Sequence, residues 1–394
     1  MTDGTDPQVR GWCPGALRPM ASGDGLVVRV RPRFARLTAA QGQGLCTLVL
    51  RYGDGGLEMT NRANLQIYGV AAADHPALLD GLRALDLLDA DETLEGRRNV
   101  LVAPDHAEGD LTHRLTAALY AALLDLPELP AKVGFAVDTG PAPVLTNDPA
   151  DFRFEMSAQG PILRADGTDK GLPVTGEEAI PKLISLATLF ATTRTPGQRR
   201  ARAWTAAGGL PDAWQTTPPL SSPHPSSWRK YLGGPGAAPP AGRPGASRDD
   251  PEGYAAPFGR IEATDLAELL TRSGASAFTV TPWRLLLLHG GQRVDHPGFI
   301  TDPDDPLLTV SACRGAPFCP QATVETRELA RRLAPHVRDL HVSGCAKGCA
   351  RATPASVTVT GRDGAYDLGQ GCAGETPRLS GLTADALIQD LTRP

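Results

Sequence analysis

The chain is poor in lysine, with five in 394 residues, so arginine supplies nearly all of its positive charge. No basic block occurs and the formal net charge is −5, which argues against a nucleic-acid partner held by phosphate contacts. No apolar run approaches the roughly 18–20 residues of a membrane-spanning helix. Runs such as Leu285 to Leu288 are strand-sized. The first residues are polar and acidic, without the charged-then-apolar order of a secretory signal, so a cytoplasmic location is expected. No Gly-x-Gly-x-x-Gly segment follows a strand pattern, so a dinucleotide would have to be read by a partner. Histidines are few and scattered, without a His-x-x-Glu or His-x3-His pair to suggest an iron site. With 41% hydrophobic and 21% charged residues, the chain can bury a sizeable core, which excludes the disordered and small disulfide-scaffold classes.

Seven cysteines, an odd number, also speak against a disulfide framework. Four form two tight pairs, Cys313-x5-Cys319 and Cys345-x3-Cys349, with 25 residues between them. Thiolates clustered in this way bind zinc or iron–sulfur clusters. Zinc sites more often use Cys-x2-Cys, so the spacing favours a [4Fe–4S] cluster held by Cys313, Cys319, Cys345 and Cys349. Pro317, Pro320, Gly315, Gly344 and Gly348 hold both segments in loops. Between the loops, helical spacing runs from Ala322 to Leu333 and a short strand from Leu340 to Val342. Cys13, Cys46 and Cys372 read as unliganded.

Along the chain, Leu26 to Val30 alternates as a strand, and a helical stretch runs from Leu37 to Leu50. A turn at Gly53 to Gly56 leads to Leu57 to Thr60, and Leu65 to Val70 is a further strand. Helices are predicted over Ala77 to Leu88, Leu111 to Leu124 and Glu177 to Ala191. Strands are predicted over Asn99 to Val102 and Val133 to Val137, with a hairpin from Phe152 to Arg164. From 208 to 256 Pro, Gly, Ser and Ala dominate, which predicts a linker or surface loop. After it the opening pattern returns. Phe258-Gly-Arg260, a helix at Leu266 to Leu270, a strand ending in Thr281 and an arginine, Arg284, echo Arg31 to Phe34, Leu37 onward, Thr60 and Arg62. An internal duplication of a strand–helix–strand unit explains this.

Arg31, Arg62, Arg98 and Lys132 each sit at or beside the end of a predicted strand. Taken singly, each reads as a surface charge. Converging on one cleft, several arginines would suit a polycarboxylate, because guanidinium binds carboxylate through two parallel hydrogen bonds.

The cysteine pairs, the segment Thr60-Asn61-Arg62-x3-Gln66 with Gly69 after it, and Arg98-Asn99-Val100 together resemble the sulfite and nitrite reductase family. The resemblance covers about 29–132 and 258–361. It implies an α+β fold of duplicated ferredoxin-like half-units with mixed α/β reductase domains. The implied divisions are half-unit 1 at 20–72, a first reductase-like domain at 73–207, the linker at 208–256, half-unit 2 at 257–300, and a cluster-bearing domain at 301–394. In that family the four cysteines bind a [4Fe–4S] cluster, and the Arg and Lys positions line a sirohaem and its oxyanion. This chain departs from the reductases at three places. It has Gly134 where they place a second lysine, Tyr68 where they usually have histidine, and Lys347 where they have asparagine. A small oxyanion needs a dense ring of cations, and that ring is thinned here.

The segments Val342 to Ala350, Leu129 to Asp138, Phe258 to Arg260 and Thr281 to Arg284 are instead similar to the branch of the family that serves aerobic cobalamin synthesis. That resemblance implies an iron–sulfur monooxygenase. It would use O2 to hydroxylate precorrin-3A, a tetrapyrrole rich in acetate and propionate groups, with lactone formation before ring contraction. Substrate carboxylates would be held by Arg31, Arg62, Gln66, Arg98, Lys132 and Arg284. Electrons would come from a reduced nicotinamide, or from a reductase or ferredoxin, and a mononuclear non-haem iron is implied without named ligands. A sirohaem-dependent sulfite or nitrite reductase and a non-catalytic, cluster-bearing tetrapyrrole carrier are the alternatives.

Overall fold

A computed structural model describes residues 13–221, 229, 231–232 and 251–393. The chain opens with β1 (Met20–Ser22), β2 (Gly25–Val30), β3 (Arg36–Thr38), α1 (Ala39–Tyr52), β4 (Gly56–Met59) and β5 (Leu65–Val70). In β2 and β5 alternate residues Val28, Val30, Leu65 and Ile67 enter the core, as period-2 patterning requires. Leu37 and Thr38, expected in the helix, belong to β3. Thr38 caps α1 in a reciprocal pair with Gln41, which fixes the helix start at Ala39.

A second unit follows. It contains α2 (His75–Ala84), α3 (Glu92–Arg97), β6 (Val100–Val102), α4 (Leu111–Ala121), β7 (Phe135–Asp138), β8 (Phe152–Ser157), β9 (Gly160–Ala165), β10 (Leu172–Pro173), α5 (Ala179–Thr193) and α6 (Ala201–Ala206). Its sheet has the order β10-β9-β8-β7-β6 and its own core around Phe152, Phe154, Phe190 and Trp204.

The opening pattern then recurs as β11 (Glu252–Ala255), β12 (Arg260–Glu262), α7 (Ala263–Ser273), β13 (Ala277–Val280) and β14 (Leu285–His289). The two copies do not close separately. β12 pairs with β4, and β3 pairs with β13, so each copy lends a strand to the other's sheet. The sheet orders are β1-β2-β5-β4-β12 and β11-β14-β13-β3. Buried residues of α1 and α7 share one hydrophobic core with both sheets.

The copies also match in backbone detail. Phe34 (φ 55°) and Phe258 (φ 57°) take the left-handed conformation just before the exchanged strands. Ala63 (φ 54°) and Arg284 (φ 62°) do so in the turns after β4 and β13, each turn opened by a threonine hydroxyl, Thr60 or Thr281. Arg284 therefore stands opposite Ala63, and the counterpart of Arg62 is Trp283. The alignment of Arg62 with Arg284 drawn from sequence is one residue out of step.

The segment expected to be a linker is partly built into the fold. Glu252–Ala255 is strand β11, Thr217 bridges to Gly171, and the Leu220 N–H donates to Met156 O at 2.7 Å. Residues 222–228, 230 and 233–250 of that segment lie outside the described residues.

The last unit contains β15 (Val310–Ala312), α8 (Arg327–Leu333), β16 (Leu340–Ser343), β17 (Ala355–Arg362), β18 (Ala365–Gly371), β19 (Leu379–Leu382) and α9 (Ala384–Thr392). Its sheet runs β15-β16-β17-β18-β19, with the first three strands parallel. The helix expected from Ala322 starts only at Arg327. Residues before it are drawn into the cysteine loops: Thr323 N–H donates to Gly344 O and the Thr326 hydroxyl to Cys313 O.

Candidate functional site

One face of the first sheet packs into the core, and the other carries a row of polar side chains. Registers place Arg29 of β2 beside Gln66 of β5, Gln66 beside Glu58 of β4, and Glu58 beside Arg260 of β12. Tyr68 lies two residues beyond Gln66 on the same face. The last unit covers this row: Arg327 Nη2 donates to Glu58 Oε2 at 2.8 Å and Arg314 Nη2 to Asp54 Oδ2 at 2.6 Å. The Arg314 guanidinium sits 3.9 Å from the Tyr68 ring centroid. Burial and Glu58 push the Tyr68 phenol up to about 12 against the pull of Arg314 and Arg29, and Cys349 adds to the rise. The polar row and the cysteine loops therefore face one site.

The two cysteine loops leave the C-terminal ends of β15 and β16, which are parallel neighbours, and this makes them converge. Gly344 N–H donates to Cys313 Sγ at 3.2 Å, and the Ser343 hydroxyl donates to Cys345 O at 2.7 Å. Burial raises Cys345, and it raises Cys349 to about 11. Cys313 and Cys319 add to the rise at both, and Cys345 adds to it at Cys349. The four thiols thus lie within electrostatic reach of one another, and Cys345 and Cys349, raised by burial, need a metal to become thiolates at neutral pH. Among the described residues no three His, Cys, Asp or Glu side chains stand close enough to hold a single ion. A cubane puts one thiolate on each iron, so it asks for thiolates further apart than the ~2.3 Å bonds to one zinc would draw them. The donor set and the N–H aimed at Cys313 fit such a cluster. For the mononuclear iron implied by the resemblance, no group of three His, Cys, Asp or Glu side chains is found among the described residues.

The six residues expected to hold anions are dispersed in role. Gln66 lies in the polar row. Arg62 borders it from the turn after β4; its Nη2 donates to Lys132 O at 2.9 Å, and its Nη1 is buried without a hydrogen-bond partner among the described residues. Burial, with Arg200 nearby, lowers the Arg62 pKa. Arg31 is buried with Nη1 3.3 Å from Glu95 Oε1 and Nη2 donating to Pro14 O. Burial pulls it down to about 10, although Glu95 opposes the fall. Arg98 is held by both oxygens of Asp89 at 2.8 Å, and its Nη2 also reaches Arg31 O. Burial lowers Arg98, but the Asp89 bonds outweigh it and the net shift is upward. Lys132 is exposed. Arg284 donates to Val310 O and Ala350 O, tying the second copy to the strand and loop that carry Cys313 and Cys349. Arg31 and Arg98 are therefore balanced by buried carboxylates, and Arg284 is spent on backbone carbonyls.

Sequence reasoning missed Arg29. It is 9% exposed, has a buried Nε without a partner, and makes no side-chain hydrogen bond or ion pair among the described residues. The signal was its i, i+2 relation to Arg31 on a strand whose other face is apolar. Gly134 is also informative. A Cβ built there would lie 3.1 Å from Asn99 O and 3.2 Å from Arg62 Nη1, so a lysine would fit only if these neighbours gave way by a few tenths of an ångström.

Residues 18–85 match the model of the nitrite/sulfite reductase ferredoxin-like half domain. The chain is 29% identical to a precorrin-3B synthase from Sinorhizobium sp, over 91% of this chain and 82% of that one. It is 24% identical to a ferredoxin–nitrite reductase from Synechococcus elongatus, over 87% and 77%. The fold matches that of the Mycobacterium tuberculosis NirA protein with a TM-score of 0.63, at 20% identity, over 92% of this chain and 79% of that one. The duplicated α+β fold is that of the nitrite and sulfite reductases, and the relatives are oxidoreductases.

Proposed function

We propose that this chain is an oxidoreductase of the precorrin-3B synthase kind, adding oxygen from O2 to precorrin-3A with lactone formation ahead of ring contraction. The observation that carries this reading over a reductase is Gly134, packed against Asn99 O and Arg62 where the reductases place a lysine. With Arg31 and Arg98 neutralised by Glu95 and Asp89, the site offers too few uncommitted cations to cage a small oxyanion. Separated cations instead suit the spread carboxylates of a tetrapyrrole.

Cys313, Cys319, Cys345 and Cys349 would hold a [4Fe–4S] cluster, which when bound supplies single electrons. Arg29 and Arg62 bind substrate carboxylates, and Gln66 hydrogen-bonds beside them, fixing the macrocycle over the polar row. The Tyr68 phenol remains protonated at neutral pH and can donate a hydrogen bond from the floor of the site. One atom of O2 enters the substrate as hydroxyl and the other leaves as water, which takes two electrons and two protons. The electrons come from a reduced nicotinamide, reductase or ferredoxin.

The test is to purify the protein without oxygen, weigh any extracted tetrapyrrole by mass spectrometry, and count iron and sulfide. The reading expects no sirohaem, about four sulfides per chain, and a precorrin that gains oxygen when air and reductant are admitted. Extracted sirohaem would move the assignment to a sulfite or nitrite reductase. A tetrapyrrole unchanged in air with reductant present would make the protein a carrier.

A further inference from the structure

A buried, uncompensated polar group beside the cysteine loops is His341 of β16. It is fully buried, and neither ring nitrogen has a hydrogen-bond partner among the described residues. Its neighbours Leu340 and Val342 point into the hydrophobic core, so His341 points to the opposite side of the sheet. That side is capped by the Cys345–Cys349 loop. A Cβ built on Gly348 would lie 3.6 Å from His341 Cε1. Cε1 is the carbon between the two nitrogens, so both nitrogens flank the edge of the ring that meets the loop. Of the polar side chains beside it, Thr358, its register partner on β17, donates to Gly371 O and Ser343 donates to Cys345 O, while Ser311, its register partner on β15, makes no hydrogen bond to the ring. Burial, with Arg351 and Arg284 nearby, lowers the ring pKa to about 4. At neutral pH it therefore carries one N–H donor and one lone pair and no charge. Buried polar groups are almost always paired, so the geometry calls for a partner on the loop side.

We propose that the His341 ring N–H donates a hydrogen bond to the iron–sulfur cluster carried by the adjacent cysteine loops, and that this bond raises the cluster's reduction potential. The inference rests on the cluster reading above. A donor stabilises the reduced cluster, with its extra negative charge, more than the oxidised one, because hydrogen bonds strengthen with the charge on the acceptor. His341 is thus a positioning and tuning residue, not a ligand.

The experiment uses the full chain, anaerobically purified, with 15N-histidine incorporated. In the wild type, pulsed EPR of the reduced cluster should show a weakly coupled imidazole nitrogen. In His341→Leu that coupling should vanish while iron and sulfide content is kept, and the reduction equilibrium should shift about tenfold against reduction, or about 59 mV for one electron. A loaded wild type without nitrogen coupling overturns the proposal, and that result needs no variant to fold. A loaded His341→Leu protein with an unchanged potential also overturns it while leaving the cluster reading intact. A wild type without iron or sulfide after anaerobic purification overturns both.

Discussion

Replacing Asp89 by Asn removes the charge that balances Arg98 while keeping one acceptor oxygen in place. The carboxylate binds Arg98 Nε and Nη2 at 2.8 Å each, and the two side chains are only 6% and 3% exposed. Removing one partner of such a buried pair costs about 3–5 kcal/mol, because the other charge is left without compensation. The retained Asn oxygen and the Arg31 carbonyl, also 2.8 Å from Nη2, place the expected loss near the lower end, about 3 kcal/mol. With a urea m-value of at most about 3 kcal/mol/M, the midpoint for this unit should fall by about 1 M or more. The assay is urea unfolding followed by far-UV circular dichroism. The double variant Asp89→Leu/Arg98→Met should recover most of the loss, since a buried pair exchanged for apolar groups of similar size is often neutral. It should also retain tetrapyrrole binding, because Arg98 is engaged by Asp89. An unchanged midpoint in Asp89→Asn, or loss of tetrapyrrole binding by a stable double variant, would show that Arg98 is a substrate clamp as first expected.

Arg29→Leu should leave folding intact and weaken tetrapyrrole binding by about 1.5–3 kcal/mol, the worth of a charged hydrogen bond; equal binding by titration would remove Arg29 from the site. Asp148 accepts from Trp283 Nε1 at 3.1 Å, and burial raises its carboxyl from the ordinary 3.8 to about 7. Its folded pKa is the higher one, so the stability it gives is complete below pH 3.8 and lost as pH rises through about 7, with an upper bound of roughly 4 kcal/mol. Asp148→Asn should therefore stabilise the chain at pH 8 and not at pH 4, and urea midpoints that differ equally at both would refute this. Cys345→Ala should abolish cluster binding and activity, whereas a variant with full iron, sulfide and activity would sink the cluster assignment.

Features set by local spacing are legible in the order of residues. Period-2 alternation marked β2 and β5, and 3.6 periodicity marked α4 and α5. The two cysteine pairs singled out the loops, and the repeat of turn, helix and Thr-ended strand exposed the duplication. Tertiary structure alone decided which surfaces meet. Hydrophobic patterning says which face of β3 or β12 is buried but not against which strand, so the exchange between the two copies is invisible in either copy. Helical spacing also persists through Ala322 to Thr326, where hydrogen bonds to the cysteine loops override it. The same holds for charge. Whether an arginine clamps a substrate or is neutralised depends on distant partners, as with Arg31 and Glu95, while Arg29 has no ion pair among the described residues. Gly134 reads as an absent lysine in the sequence; only the packing of Asn99 and Arg62 around it shows that the space is tight. Long-range pairing energies depend on burial and geometry, and neither is written in the local order of residues.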